Sequence, residues 1–523
     1  MLWIGIHLPR LSLEGFEATL AVAPEPADGV GLDAPVALIE RHRLVAVNAA
    51  AQACGVRPGQ QRATALGLAP GLRLGEADPA RDAAALQAIA HAAMAFTPAV
   101  SIAPGHVVLA EVRASLRYFG GLAPLLARLR AALAPLGHVA RIACAPTPQA
   151  AQWLCAWHEA HAESPSPDWR TRLDALPVSL MAAAEPHLAT LQTLGLATLA
   201  DLRRQPRAGL ARRFGAALLA DIDRALGELG DPRVSLEPPL RFDSRLELFQ
   251  RAEDSAALLA GAAVLLNRLA AWAAARHGRI AAFALHLHHE TRAKTRHDPA
   301  ARTTILEIGL GDAVSGTAHL HSLLRERLQR QPLTASVIEL SLHCAALVPG
   351  APPNGELFPS AASQGEGWQR LLERLEARLG AQQVQRLQPV ADHRPERATL
   401  TRPRAEAKAA AAVGAPIRLP TASDTGAPPE SPPGDWPRQR RPVWLLREPQ
   451  PLREQAGTPW LAGHPLWLLA GPERIETGWW DDAAAARDYF IAQAEDGALL
   501  WIYRFRHAPG AGESGWFLHG RYG

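Results

Sequence analysis

Two short apolar runs early in the chain each carry a histidine. MLWIGIHLPRLSLE at 1–14 places His7 between Gly5 and Glu14, and GHVVLAEVRASLRYFGG at 105–121 places His106 ahead of Val107 and Glu111. Imidazole nitrogens suit transition metals, whereas hard ions such as Mg²⁺ take carboxylate oxygens. Phosphoryl transfer by a pair of hard ions needs carboxylates that clamp both of them, and glycine and valine offer no ligand. A site built from His7, His106 and Glu111 would therefore be one for Mn²⁺ or Zn²⁺.

Further along, LQTLGLATLADLRRQPRAGLARRFG at 191–215 gathers Arg203, Arg204, Arg207, Arg212 and Arg213 around glycine breaks, with Gly195 in the first turn. Glycine lets a hairpin backbone come close to a ligand, and helix N-terminal amides attract phosphate. A solvated helix face with capping glycines accounts for the same residues. In IAAFALHLHHETRAKTRH at 280–297, His286 and His288 share a strand face. No Cys or carboxylate partner stands at a ligand spacing, so an exposed strand face is the expected reading. Arg292, Lys294 and Arg296 also alternate, a pattern for meeting backbone phosphates without reading sequence.

The elements that must position these residues fall into several units, as 523 residues require. Residues 1–165 alternate short apolar runs (PVALIE, RLVAVN, HVVLAEV) with alanine-rich stretches such as ARDAAALQAIAHAAMAF, an α/β pattern with a helical insertion. HAESPSPDWR at 161–170 reads as a connector. Residues 171–232 read as almost wholly helical, and 240–348 as a long helix leading into a sheet. Residues 349–400 hold a Pro/Gly-flanked loop and an amphipathic helix over 368–380, and 401–440 read as a flexible linker. Eight of the fourteen tryptophans lie from Trp436 onward. ALLWIYRFRH and GWFLHGRYG read as strands of a small β-rich module at 441–523, with GPERIETGWWDD as a turn. Aromatics in so small a unit serve its core or, as interface anchors, a partner.

A formal charge of only +3 gives no global basic field, so any nucleic-acid contact must come from local patches. Cys54, Cys144, Cys155 and Cys344 show no C-x-x-C spacing and fit a reducing compartment. No signal peptide is evident, and no apolar run reaches the ~20 residues needed to span a bilayer. A cytoplasmic protein without a membrane partner is expected.

The two apolar runs, together with VNAAAQACGVRPGQ at 47–60, resemble the palm and fingers of Y-family (UmuC-type) translesion DNA polymerases. Those enzymes hold two metal ions with a D-x-D pair on the first strand and an S-x-D-E run beside the second. Aligning on Ser12 and Glu14 puts Gly5 and His7 at the two aspartates, and aligning on L-R-x-F-G-G puts His106 and Val107 near the D-E pair. The family's triphosphate-gripping Y-E-A-R falls on Ala49, Ala50, Ala51 and Gln52, and its N-K pair on Thr147 and Pro148. The aromatic pair after D-x-D becomes Pro9 and Arg10. The resemblance implies a multidomain α/β and α+β right hand that has lost its catalytic residues. Its parts would be palm and fingers, a helix-hairpin-helix thumb at 171–232, and a little finger at 240–348. No metal and no cofactor are expected.

Asn354-Gly355-Glu356-Leu357-Phe358 resembles the Q-x-x-L-F peptide that docks into the bacterial sliding clamp, with Asn354 in place of glutamine. The alternative is a loop whose Leu357 and Phe358 pack on their own domain. The degenerate frame, the clamp-like loop, and PERIETGWW with DYF in the tail together resemble the ImuB-type pseudo-polymerases of the bacterial SOS mutagenesis cassette. That resemblance implies a hub contacting primer–template DNA, the sliding clamp, an ImuA-like RecA-related protein and an error-prone C-family polymerase. An active polymerase with atypical ligands is the alternative, and the residues at Ala49 and Gln52 count against it.

Overall fold

A computed structural model describes residues 1–20, 34–157, 168–290, 302–333, 335–350, 361–404, 441–442, 444–480, 484–506 and 515–522. The chain divides into two compact units, Met1–Arg378 and Leu379–Gly523.

In the first unit, the expected palm is a four-stranded antiparallel sheet in the order Val100–Ala103, Val107–Glu111, Trp3–His7, Arg141–Ala145. Side chains alternate across it, as strand geometry requires. Ile4, Ile6 and Leu8 enter one core with the Pro79–Met94 and Leu122–Leu133 helices. Trp3, Val107 and Leu109 enter a second core with the Pro148–Ala156 helix. A smaller sheet of Val36–Glu40, Arg43–Val47 and Arg73–Glu76 stands beside the palm with its own core around Ala37, Leu44 and Val56.

The helical segment runs through Leu188–Thr193, Leu199–Arg203, Arg207–Phe214 and Ala216–Leu226. Gly195 takes a φ of +72° between the first two, a left-handed turn that favours glycine. Thr198 and Asp201 then form a reciprocal capping box that starts the next helix. Leu191, Leu199, Leu210, Phe214 and Ile222 bury in the same core as Trp3 and Leu109, so this segment closes over one palm face.

The following sheet has the order Thr303–Val314, Gly278–His289, Val337–Pro349, Phe242–Ala252. The Ser255–Ala275 helix packs on it through Leu258, Leu265, Leu269 and Trp272, joined by Leu320 and Leu324 of Thr317–Arg330. By length and composition the 21-residue Ser255–Ala275 helix is apolar enough to cross a membrane, and it is a mostly buried core helix. Asn267 and Arg268 interrupt its apolar run in the sequence, while its average hydropathy stays high.

The second unit holds a hairpin, Gln385–Pro389 with Thr399–Pro403, and a seven-stranded antiparallel sheet. The sheet order is His464–Pro465, Thr458–Leu461, Trp444–Gln455, Trp516–Arg521, Leu499–Phe505, Ala485–Gln493, Trp467–Thr477. Tyr489 stacks on Trp501 with ring centroids 4.0 Å apart. Two sequence expectations change here. PERIET is strand rather than turn, because Ala485–Gln493 supplies a pairing partner that overrides the Gly-Pro signal; the register shifts between Ala470 and Glu473 to absorb it. Residues 401–403, read as the start of the linker, complete the hairpin; 405–440 lie outside the described residues.

Candidate functional site

The strand register brings the four degenerate palm positions together. Gly5 pairs with Leu109 and His7 with Val107, and the amide of Leu8 donates to the carbonyl of His106 at 3.1 Å. The aligned positions therefore share one region, running from the middle of the two central strands at Gly5 to their end at His7 and Val107.

That place is packed. A Cβ added at Gly5 would stand under 3.0 Å from the Ala151 carbonyl oxygen and 2.8 Å from the Cys155 sulfur. Both atoms belong to the Pro148–Ala156 helix, which lies directly on the strand. Its start is secured by Thr147, whose hydroxyl accepts from the Ala150 amide at 3.2 Å and donates to the Ala225 carbonyl at 2.8 Å. Thr147 and Pro148 thus form a helix cap tied to the helical segment. A proline with no N–H fits the first helical turn, where that donor would have no intrahelical partner.

His7 is partly buried with its Nδ1 unpartnered. Burial, followed by the Arg141 guanidinium and by His106, pushes its pKa below the ordinary range. Burial likewise pushes the Cys155 thiol up, so it is an inert thiol rather than a thiolate ligand. The two carboxylates retained nearby are spent on backbone. Glu111 accepts from the amides of Leu2 at 3.0 Å and Arg113 at 3.3 Å. Glu14 accepts from the Val139 amide at 3.0 Å and sits 3.4 Å from His138. Glu111 faces Trp3, four residues from His7 along the strand, a separation of roughly 13 Å. His7, His106 and Glu111 are therefore not one ligand set. The metal pair of a polymerase palm does not fit these residues, since position 5 has no room for a carboxylate and position 107 carries valine.

The nucleotide-grip positions are likewise structural. Asn48 caps the Ala49–Ala53 helix, accepting from the amides of Ala51 at 2.9 Å and Val36 at 3.0 Å. Ala49 opens that helix, and Gln52 is exposed within it.

Of the helical-segment arginines, three are drawn to acids: Arg203 to Asp174 at 2.5 Å, Arg204 to Asp201 at 2.7 Å, and Arg207 to Asp223 at 2.6 Å. Arg212 and Arg213 are exposed, and Arg213 lies over the Phe214 ring. Arg292, Lys294 and Arg296, and the clamp-like residues Asn354, Leu357 and Phe358, lie outside the described residues.

The histidines of Gly278–His289 do have carboxylate neighbours, supplied across the sheet rather than along the chain. His288 Nε2 and His343 Nε2 share the Ser341 hydroxyl at 2.8 and 3.0 Å. His343 Nδ1 lies 3.0 Å from Asp243, and His288 lies 3.9 Å from Glu339. Burial first, then neighbouring rings, pushes His286 below its usual range. Among the described residues no group of three or more His, Cys, Asp or Glu could hold a metal ion.

The tryptophans of the second unit divide. Trp501 and Trp516 are core, whereas Trp444, Trp467, Trp479 and Trp480 are exposed, Trp479 by 82%.

No family model matches the chain. It is 28% identical over 497 residues to Protein ImuB of Caulobacter vibrioides (strain NA1000 / CB15N), a match spanning 90% of this chain and all of that relative. The same protein from strain ATCC 19089 / CIP 103742 / CB 15 matches equally. Among solved structures, a Dbh ternary complex is similar over 66% of this chain and all of its own, at 14% identity and a TM-score of 0.37. DinB from Sulfolobus solfataricus is similar over 67% and all of its own, at 14% identity and a TM-score of 0.35. The ImuB-type resemblance read from the motifs thus extends along nearly the whole chain.

Proposed function

We propose that this chain is a non-catalytic member of the Y-family polymerase architecture, acting as a scaffold in damage-induced translesion synthesis and mutagenesis. The observation that carries the reading is the crowding at Gly5. Losing one carboxylate leaves a repairable site, but here a helix backbone occupies the space that a ligand side chain would need. The cap at Thr147 and Pro148 and the helix start at Ala49 extend the same reading to the triphosphate.

What remains is binding. Arg212 and Arg213, exposed in the last turn of the Arg207–Phe214 helix, are proposed to meet primer–template phosphates without sequence preference, with Arg203, Arg204 and Arg207 exchanging their acids for phosphate. Arg292, Lys294 and Arg296 are proposed to add to that contact. Leu357 and Phe358, with Asn354 leading, are proposed to dock on the sliding clamp. The exposed tryptophans of the second unit are proposed to receive an ImuA-like RecA-related protein and an error-prone C-family polymerase in the cytoplasm. Several modest contacts on one chain raise local concentration, with avidity gains of about 10²–10⁴ where geometry permits.

The test is capture of purified sliding clamp by the full chain and by a Leu357→Ala/Phe358→Ala variant. Loss of capture with an unchanged melting profile supports the assignment; undiminished capture rejects it.

A further inference from the structure

Away from the palm strands, a cavity of about 520 Å³ opens between the Pro79–Met94 helix and the edge strand Phe242–Ala252. Two polar side chains line it that neither the fold nor the scaffold role accounts for. Arg268 projects from the Ser255–Ala275 helix and is 6% exposed. Its Nη1 donates to the Ser244 hydroxyl and the Arg245 carbonyl, both at 3.3 Å, the long end of hydrogen-bond geometry. Among the described residues no carboxylate pairs with it. Burial alone pushes its pKa down to about 10. His91, 4% exposed, also lines the cavity, and its Nε2 has no hydrogen-bond partner. Burial pushes its pKa down to about 4, so at neutral pH it is an uncharged ring.

A buried guanidinium without a counter-ion is costly, and replacing such a charge by an apolar side chain commonly stabilises a protein. Its planar fork matches the oxygens of a phosphate in a bidentate manner, and a neutral imidazole can add a further N–H. The cavity's rim has a different character. Asp78, Asp243, Glu247 and Glu339 line it with Arg81, Arg241 and Arg245, and Arg245 lies 3.6 Å from Glu339. Carboxylates at the mouth accept hydrogen bonds from hydroxyls and repel a long polyanion. The volume falls within the roughly 300–1,000 Å³ of ordinary small-molecule pockets.

We propose that this cavity binds a phosphate monoester carried on a small hydroxylated body, of the size of a nucleoside 5′-monophosphate. The phosphate sits on Arg268 and His91, and the body faces Glu247 and Glu339. The assignment does not depend on the scaffold reading.

The experiment is calorimetric titration of the full chain with adenosine 5′-monophosphate, inorganic phosphate, adenosine and ATP, paired with thermal melts. Saturable binding of the monophosphate, tighter than free phosphate, adenosine or ATP, is expected. Arg268→Met should weaken it by roughly ten- to a hundredfold, the worth of charge-assisted hydrogen bonds, while melting no lower than the parent chain. Arg268→Lys keeps the charge without the fork and should fall between the two, which covers the case of a methionine variant that does not fold. Phosphate binding as tightly as the monophosphate would remove the organic body from the assignment. No saturable binding, binding undiminished in both variants, or ATP bound as tightly as the monophosphate would overturn it.

Discussion

Gly5 lies beneath Ala151: the helix carbonyl and the Cys155 sulfur fill the space where any side chain on that strand position would begin. The relationship turns a sequence difference into a structural one. An aspartate at position 5 would have to displace the Pro148–Ala156 helix, and that helix is held at Thr147 by the neighbouring Ala225 carbonyl.

Gly5→Ala is therefore expected to destabilise the first unit by about 1–3 kcal/mol through overpacking, with Gly5→Asp worse because it also buries a carboxylate. Chemical denaturation followed by tryptophan fluorescence checks both. A neutral alanine variant would mean that the helix yields easily.

Restoring carboxylates at the remaining degenerate positions, as His7→Asp with His106→Asp and Val107→Glu, is expected to leave primer extension undetectable while Gly5 stays. Measurable extension by that triple variant would show that position 5 is not decisive.

In the second unit, Trp501 is buried and stacked, so Trp501→Ala should cost roughly 3–5 kcal/mol. Trp479→Ala with Trp480→Ala should shift stability by no more than about 0.5 kcal/mol each while weakening capture of a partner. Equal melting losses for the two changes would place the exposed pair in the core instead.

His519 gives a pH dependence of definite sign. Its Nδ1 meets the Tyr489 hydroxyl at 2.8 Å, and Glu396 and Arg487 flank the pair. Burial, only partly opposed by Glu396, pushes its pKa down to about 4. Between that value and the ordinary value near 6.5 the unfolded chain binds a proton that the folded chain does not. The contribution of His519 to stability is thus level above about pH 6.5 and falls as pH drops toward 4, by roughly 3 kcal/mol in all. The difference between denaturant midpoints at pH 7 and pH 5 should be smaller for His519→Asn than for the parent chain, with the buried His91 keeping part of it. An unchanged difference in the variant would assign the acid sensitivity elsewhere.

What could be read ahead of the fold was whatever repeats locally. WIGIH and VVLAE alternate or run apolar over five residues, and they pair in the palm sheet. The glycine at 195 announced its turn, because a left-handed residue between helices needs one. Contacts made across the sheet or between helices left no local trace. Nothing near His288 in the chain points to Ser341 or Glu339, which arrive from a strand some fifty residues away. Nothing beside Gly5 points to Cys155. PERIET failed as a turn for the same reason, since its strand partner follows only after Gly478. Arg268 interrupts an apolar helix in the sequence, and only the fold sets it beside the cavity.

The most direct test of the account is primer extension by the purified full chain, with Mg²⁺ and then Mn²⁺, beside a gel shift on the same primer–template. A salt-sensitive shift is expected, weakened by Arg212→Ala with Arg213→Ala, and no added nucleotide with either ion. Extension by the parent chain that disappears in His7→Ala or Glu111→Ala would contradict it.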